Sequence, residues 1–503
     1  MADAIEADAN DGLAAKTATG WTLPGRTTGS CGTNPSVTQP RKEAAMDLTP
    51  EHVPPAELSP PAQRQVIRKV GLRILPLLML AYFINSLDKT NISLAALNMD
   101  KALGLTEAAF GLASGLFFVG YFVFSVPSNL ALAKVGPRKW IARIMVSWGI
   151  IAAATALANG AVSLYALRIL LGVAEAGFYP GVLLYLTVWV PAKYRARYLA
   201  YFVIGGSLAS VFGSPLTGWF ITNGQAILGI AGWRAMFVLE GVPAIVLGII
   251  TLFVIKDKPA DAKWLAPDEK DWLIAEIARE QQGVTTRHRG AGSVKMLMDA
   301  RLVLLSVAYF CKCYGQYALA FFLPQMIVAF EAANHQTYSV MEVSLLTAIP
   351  NGVGIIVSIP WAIHSDRTGE RVWHSAIPLF IGTVGVCVSA VVHQPFGIMA
   401  ALCVAYIGIG CQSQAFFQLP SMFLTGAAAA GGLAMVNAIG NLGGFAAPYV
   451  TGWLKEFTGT FTTASFVMGA LMALGGILTL LLPRLRAAAP AAPSLKEEGE
   501  VRA

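Results

Sequence analysis

The sequence predicts an all-α integral membrane protein, with twelve transmembrane helices in two six-helix halves. Three observations lead there. Apolar runs of 18 or more residues recur along the 503-residue chain, each long enough for a membrane-crossing helix. Only 13% of residues are charged, against about 25% in soluble globular chains. The basic residues gather in alternate short loops between the runs. Those loops account for the net charge of +7, so it points to membrane topology and not to a nucleic-acid partner.

Residues 1–65 are rich in Ala, Thr, Asp and Pro and contain no apolar run, so they are expected to be a disordered tail without a secretory signal. Met46 is a candidate start, because the text after it leads into Arg64, Arg68, Lys69 and Arg73. Residues 1–45 would then be an extension of the gene model. The first half, 66–255, has apolar runs near 74–97, 108–132, 140–158, 163–189, 200–222 and 233–255. A charged connector occupies 256–300, and within it Pro267 to Glu280 reads as a short amphipathic helix. Pro267 opens that helix, acids fill its first turn, and Leu273 and Ile277 form an apolar face. The second half, 301–483, has runs near 302–329, 342–363, 374–393, 396–424, 430–454 and 462–482. A disordered tail is expected over 484–503.

Basic residues follow the second run (Lys134, Arg138, Lys139, Arg143), the fourth (Lys193, Arg195, Arg197), the eighth (Arg367, Arg371) and the twelfth (Arg484, Arg486). The loops of the opposite side carry almost none, so both termini and the connector are expected on the cytoplasmic side. Lys134 to Trp140 (K-V-G-P-R-K-W) and Arg367 to Trp373 (R-T-G-E-R-V-W) repeat basic, Gly, Arg and Trp at one spacing, as parallel transporter repeats do. Five of the six cysteines lie within apolar runs and Cys31 lies in the tail. Cys311 and Cys313 fall on different helix faces, so neither a disulfide framework nor a metal site is expected.

The chain is organised around Tyr82 to Asn91 (Y-F-I-N-S-L-D-K-T-N). Asp88 and Lys89 stand there at membrane depth, where each charge costs about 2.5–3.5 kcal/mol on insertion scales. Asp88 lies about 21 Å along a helix from Ile74, too deep for its short side chain to reach the surface. Such a pair faces a partner, a water-filled cavity or a substrate. Arg168 and Glu175 are two helical turns apart and share a face. They are either a static pair or a proton and anion site. Lys312 lies inside the seventh run, where it either faces a cavity or pairs locally. Tyr314 and Tyr317 could donate hydrogen bonds or simply pack. Gln412, Gln414 and Gln418 interrupt the tenth run and either line a cavity or join helices. Glu240 and Arg234 read as architectural.

Ser365 to Arg371 (S-D-R-T-G-E-R) resembles the D-R-x-G-R-type loop of the major facilitator superfamily, and the first-half copy lacks its Asp. L-D-K-T-N-I-S-L-A-A-L (87–97), G-Y-F-V-F-S-V-P-S-N (120–129), R-I-L-L-G-V-A-E-A-G-F-Y-P-G (168–181), G-W-R-A-M-F-V-L-E-G-V-P-A (232–244) and N-A-I-G-N-L-G-G-F-A-A-P-Y (437–449) are similar to its anion:cation symporter branch. That branch includes carriers of tartrate, galactonate, phthalate and hydroxyphenylacetate. The resemblance covers about Val66 to Leu482. It implies rocking of the two halves around a central cavity, with Asp88 and Glu175 as proton-coupling acids. It also implies Lys89, Arg168, Tyr121 and Asn437 or Asn441 around the substrate carboxylate, joined here by Lys312 and Tyr317. Lys89 departs from the Arg usual in the family and offers a point charge without a bidentate fork. Asp366, Arg367 and Arg371 would form a gating contact in the loop.

The expected function is proton-coupled uptake of a small hydroxy-dicarboxylate or sugar acid by alternating access. The carrier would be a monomer in a bacterial inner membrane, with no cofactor. An efflux antiporter for an acid or drug is the alternative. A membrane enzyme or sensor is disfavoured, because the sequence has no metal triad, G-x-S-x-G elbow or P-loop.

Overall fold

Without water in the bilayer core, backbone polar groups must bond within their own segment, and apolar runs therefore fold as helices. The computed structural model describes residues 58–287, 299–333, 337–423 and 426–487, and every regular element among them is helical. Cys31, Met46 and the rest of 1–57 lie outside the described residues, as do 288–298 of the connector and 488–503. Eleven segments among the described residues are long and apolar enough to cross a membrane. A further helix, Gly426–Thr458, stands where the run at 430–454 places the eleventh span.

Several boundaries move. Span one begins at Pro60, ahead of the expected tail boundary at 65, because Pro60 suits a first helical position and Val66, Ile67 and Val70 bury themselves in the core. It runs Pro60–Thr90 and resumes as Ile92–Leu103. Span two is Glu107–Val135, opened by Thr106, whose hydroxyl accepts from the Ala109 amide at 3.2 Å. Span three is Pro137–Ala154, and span four is split into Ala161–Glu175 and Phe178–Trp189. Span five is Ala192–Leu208 and Ser214–Leu228, joined by a π-helical stretch at Ala209–Gly213. Span six is Gly232–Val254. The second half follows with Ala300–Ala333, Val340–Thr368, Val372–Ser389, Pro395–Phe416, Gly426–Thr458 and Thr462–Ala487. Span ten stops at Phe416, short of the expected 424, and a 3-10 turn at Pro420–Met422 follows, where proline cannot continue an α-helical ladder. Residues 484–487, expected in the tail, continue the last helix.

Small residues set the closest helix contacts. A Cβ on Gly149 of span three would lie 2.7 Å from the Gly241 carbonyl of span six, and one on Gly241 would lie 2.6 Å from the Gly149 carbonyl. Gly241→Val is therefore expected to destabilise the first half by about 1–3 kcal/mol through overpacking. The readout is a lower apparent Tm in detergent. Gly160→Ala, where nothing lies within 4 Å, should leave the Tm in place. An unchanged Tm for Gly241→Val would mean that the span three and span six backbones separate freely.

Contacts between the halves gather at the end of the bundle whose loops are poor in basic residues. Phe110 and Phe322 meet edge to face at 5.4 Å, Gln325 Nε2 donates to Asp100 Oδ2 at 3.3 Å, and the Ala108 amide donates to Glu456 Oε2 at 3.0 Å. At the basic end the connector helix, Pro267–Arg287, docks on the first half. Its Trp272, Leu273 and Ile277 are buried, Glu269 pairs with Lys69, and Glu280 pairs with Arg195 at 2.9 Å. The expected apolar face is thus a docking face, and the helix extends past Glu280.

Candidate functional site

The two segments that carry the first-half charges are also the two broken helices. Span one is interrupted at Asn91, three residues after Asp88. Span four is interrupted at Ala176 and Gly177, directly after Glu175. Ala176 turns to ψ 128° and Gly177 takes φ +90°, a conformation that favours glycine. Discontinuous helices at membrane depth are tolerated where backbone is buried in protein or lines a cavity, and they mark binding sites in transporters. The π-helical stretch in span five lies beside them, with Gly213 against Leu87.

Successive residues on a helix project about 100° apart, so Asp88 and Lys89 enter different networks. Lys89 Nζ donates to Asn85 Oδ1 at 2.8 Å, one turn back on the same face. Asn85 Nδ2 donates to Glu175 Oε2 at 2.6 Å, and Lys89 lies 3.6 Å from the same oxygen. Asn85 and Glu175 are buried, whereas the Lys89 side chain keeps 23% exposure. Lys89 also lies 5.3 Å from the centre of the Tyr121 ring. Tyr82 packs on Phe202 at 4.7 Å and on Tyr179 at 5.4 Å, which makes an aromatic wall beside this network.

Asp88 points the other way. Trp148 Nε1 of span three donates to its Oδ2 at 3.0 Å, and Asn91 Nδ2 reaches its Oδ1 at 3.5 Å. The same Asn91 nitrogen donates to Glu240 Oε2 at 2.7 Å, and Thr217 donates to Glu240 Oε1 at 2.7 Å. Asp88 and Glu240 are both buried, and among the described residues neither has a cation within 4 Å. Read as architectural from the sequence, Glu240 is one link from Asp88. The signal was the Asn at position 91, which can serve two acceptors.

Arg168 does not form the static pair with Glu175. Its side chain is 1% exposed and its guanidinium sits 5.2 Å from the Phe117 ring centre. Nε and Nη2 have no hydrogen-bond partner, and Arg168 makes no ion pair among the described residues. Lys89 has taken Glu175 instead. Lys312 is 4% exposed, donates to Gln316 Oε1 one turn along its own helix, and lies 5.5 Å from the Tyr309 ring centre. Its partner is neutral, so its charge is uncompensated. Buried cations without an ion-pair partner are costly, and among the described residues Arg168 and Lys312 are two of them.

The other expected residues fall as follows. Tyr317 packs on Phe118 of span two at 4.6 Å, which puts it at the meeting of the halves. Asn437 and Asn441 share a face of span eleven with Gly440, which abuts Tyr309, and Gly444, which abuts Phe118. Gln412 is buried with both amide atoms unpartnered. Arg234 donates to the Ala156 carbonyl and covers the Trp233 ring at 4.4 Å, an architectural placement. In the loop after span eight, Arg371 bonds Asp366 at 2.9 Å and Ser365 at 2.8 Å, and Arg367 lies in the last turn of the helix that Gly369 caps. Glu370 of that loop is partly buried, which raises a carboxyl pKa. Hydrogen bonds from the Trp373 and His374 amides and the His374 ring outweigh this and hold it below its ordinary value.

The family model of the Major Facilitator Superfamily matches residues 78–431 and 305–502. The chain belongs to the major facilitator superfamily. It is a multi-pass membrane protein and a secondary transporter of that type, not an enzyme. A protein of Agrobacterium vitis provisionally named as a tartrate transporter is 43% identical over 84% of this chain and 92% of its own length. A protein of Acinetobacter baumannii named quinolone resistance transporter is 36% identical over 84% of this chain and 95% of its own. Among solved structures, a bacterial homologue of the human lysosomal transporter Spinster, inward-facing and unoccupied, superposes with a TM-score of 0.67 at 17% identity. It covers 87% of this chain and all of its own. That likeness concerns the fold alone.

If Lys312 meets an anionic cargo, the test is electrostatic. Lys312→Gln is expected to weaken binding of a dicarboxylate about 10-fold or more while changing a monocarboxylate about 2-fold or less, because only the dianion uses the second-half cation. Equal losses for both would assign Lys312 to structure.

Proposed function

We propose that the chain is a proton-coupled importer of a small organic anion, with a hydroxy-dicarboxylate such as tartrate as the leading cargo. It would work as a monomer in a bacterial inner membrane, with both termini cytoplasmic. The observation that carries the reading is Arg168, buried in the first half with Nε and Nη2 unpaired. A guanidinium fork matches a carboxylate in a bidentate way. Lys312 supplies a second uncompensated cation from the other half, which suits a second carboxylate. Lys89 is held by Glu175 and Asn85 until an incoming carboxylate competes for it. Protonation of Glu175 would release Lys89 to that carboxylate, so cargo and proton would bind together. The name of the Agrobacterium vitis relative supports the choice of cargo class.

The experiment is thermal stabilisation of the purified protein against tartrate, galactonate, glucarate, phthalate, hydroxyphenylacetate and neutral sugars. A ligand at 100 times its Kd raises stability by about 2.7 kcal/mol. A shift with one of the acids and none with neutral sugars is expected. No shift with any acid would remove the anion reading. Export is the second reading, favoured by the name of the Acinetobacter baumannii relative. A quinolone added to the same panel tests it: stabilisation by the quinolone and by none of the carboxylates would reverse the choice.

A further inference from the structure

At the basic end of the bundle a cleft of about 930 Å³ opens between the first half and the connector. Three separate parts of the chain bring cations to it. Arg73 comes from span one, Arg138 from the start of span three, and Lys256, Lys263 and Lys270 from the connector. Only two acids line it, Asp257 and Asp261. Asp257 is already engaged, since its Oδ1 accepts from the Arg138 amide at 2.9 Å and so caps span three. Arg138 is tethered too, its Nε donating to the Leu252 carbonyl at 2.6 Å. Arg73, Lys256, Lys263 and Lys270 make no ion pair among the described residues. Nearby surface charges behave otherwise: Lys69 pairs with Glu269 and Arg195 with Glu280.

Four unpaired cations facing one cleft repel one another, and a fold keeps them together at a cost unless an anion joins them. The rim says which kind of anion. Phe253 at the end of span six is 70% exposed, and Leu72, beside Arg73, is 68% exposed. Phe253 lines the cleft itself, so exposed apolar surface adjoins the cations there. The occupant therefore carries phosphate at one end and hydrocarbon at the other. A headgroup with two phosphates matches the charge surplus better than one with a single phosphate. We infer that this cleft is a binding site for an anionic phospholipid headgroup, in particular one bearing two phosphates, which would lock the connector to spans one, three and six. The site is separate from the cargo network around Arg168 and Glu175.

The test uses the full-length protein, delipidated in detergent and then given cardiolipin, phosphatidylglycerol or phosphatidylcholine. Retained lipid is read by native mass spectrometry and stability by thermal unfolding. Cardiolipin should be retained and raise the Tm, with phosphatidylglycerol weaker and phosphatidylcholine without effect. Lys256→Gln, Lys263→Gln and Lys270→Gln together should weaken retention about 100-fold, taking a loss of about 5-fold for each of the three cations. A control, Lys193→Gln with Arg197→Gln in another basic loop, should keep it. Equal retention by the triple variant, or equal retention of phosphatidylcholine, would overturn the site. Stabilisation by pyrophosphate alone as large as that by cardiolipin would assign the cleft to a soluble diphosphate and overturn the lipid source. If the triple variant does not fold, Lys263→Gln alone, on the exposed connector, serves in its place with a loss of about 5-fold expected.

Discussion

Arg168→Gln is expected to weaken carboxylate binding by about 30- to 3,000-fold, the loss that follows when one partner of a buried, hydrogen-bonded charge pair is removed. The same substitution should raise the stability of the empty protein by about 1–3 kcal/mol. The two effects have one cause. In the empty protein the guanidinium is buried with Nε and Nη2 unpaired, so it carries a desolvation cost that the Phe117 ring and the more distant carboxylates of Glu175 and Asp88 offset only in part. Glutamine removes that cost and with it the anchor proposed for the cargo. A structural arginine would behave in the opposite way, because its loss would break contacts and lower the Tm. Arg168→Lys separates charge from shape. It keeps the cation and loses the fork, so binding should fall between wild type and the Gln variant. The measurements are ligand-induced Tm shifts and the Tm without ligand. A Gln variant that melts lower than wild type and still binds carboxylate would return Arg168 to the scaffold.

Much of this site was legible in the residues. The apolar run lengths placed the eleven described segments long and apolar enough to cross a membrane, and the charges inside them singled out Asp88, Lys89, Arg168, Glu175 and Lys312, because a membrane interior tolerates so few. What the sequence did not convey is which charge meets which. Arg168 and Glu175 share a helix face, so a pair was reasonable, yet the break after Glu175 ends that helix and turns the chain. Lys89 then reaches Glu175 from span one, through Asn85. Asn85 stood in plain view four residues before Lys89, and an amide at that spacing in an apolar run is a signal of its own. Glu240 was hidden for a different reason. Its partners Asn91 and Thr217 belong to spans one and five, and only the packing of three helices brings them together. Span ends were poorly legible wherever proline or burial of a charged-looking segment decided them, as at Pro60 and Phe416.

Glu175→Gln should abolish proton-driven accumulation of the cargo while leaving exchange of cargo for cargo intact. In the proposed mechanism the carboxylate of Glu175, 3.6 Å from Lys89, and the cargo carboxylate compete for that one ammonium. On that proposal the anion gains Lys89 only as Glu175 gives it up, and a proton on Glu175 would achieve this. Glutamine imitates the protonated form permanently. Asn85 can rotate its amide to serve the new side chain, so the fold should persist. Cargo then binds without a proton, with an affinity equal to wild type or higher, and its accumulation in vesicles falls to the level outside. Substrate-dependent alkalinisation of the medium should vanish with it. Asp88→Asn should also uncouple, but with a different signature. Asp88 touches Trp148 and Asn91 and not Lys89, so its loss should leave cargo affinity near wild type and act on the step that returns the empty carrier. Since Asn91 also holds Glu240, Glu240→Gln should reproduce the Asp88 phenotype more weakly. Transport in proteoliposomes with and without an imposed pH gradient, set beside counterflow, distinguishes these outcomes. Retained proton-driven accumulation in Glu175→Gln would show that the competition for Lys89 does not couple the proton to the cargo.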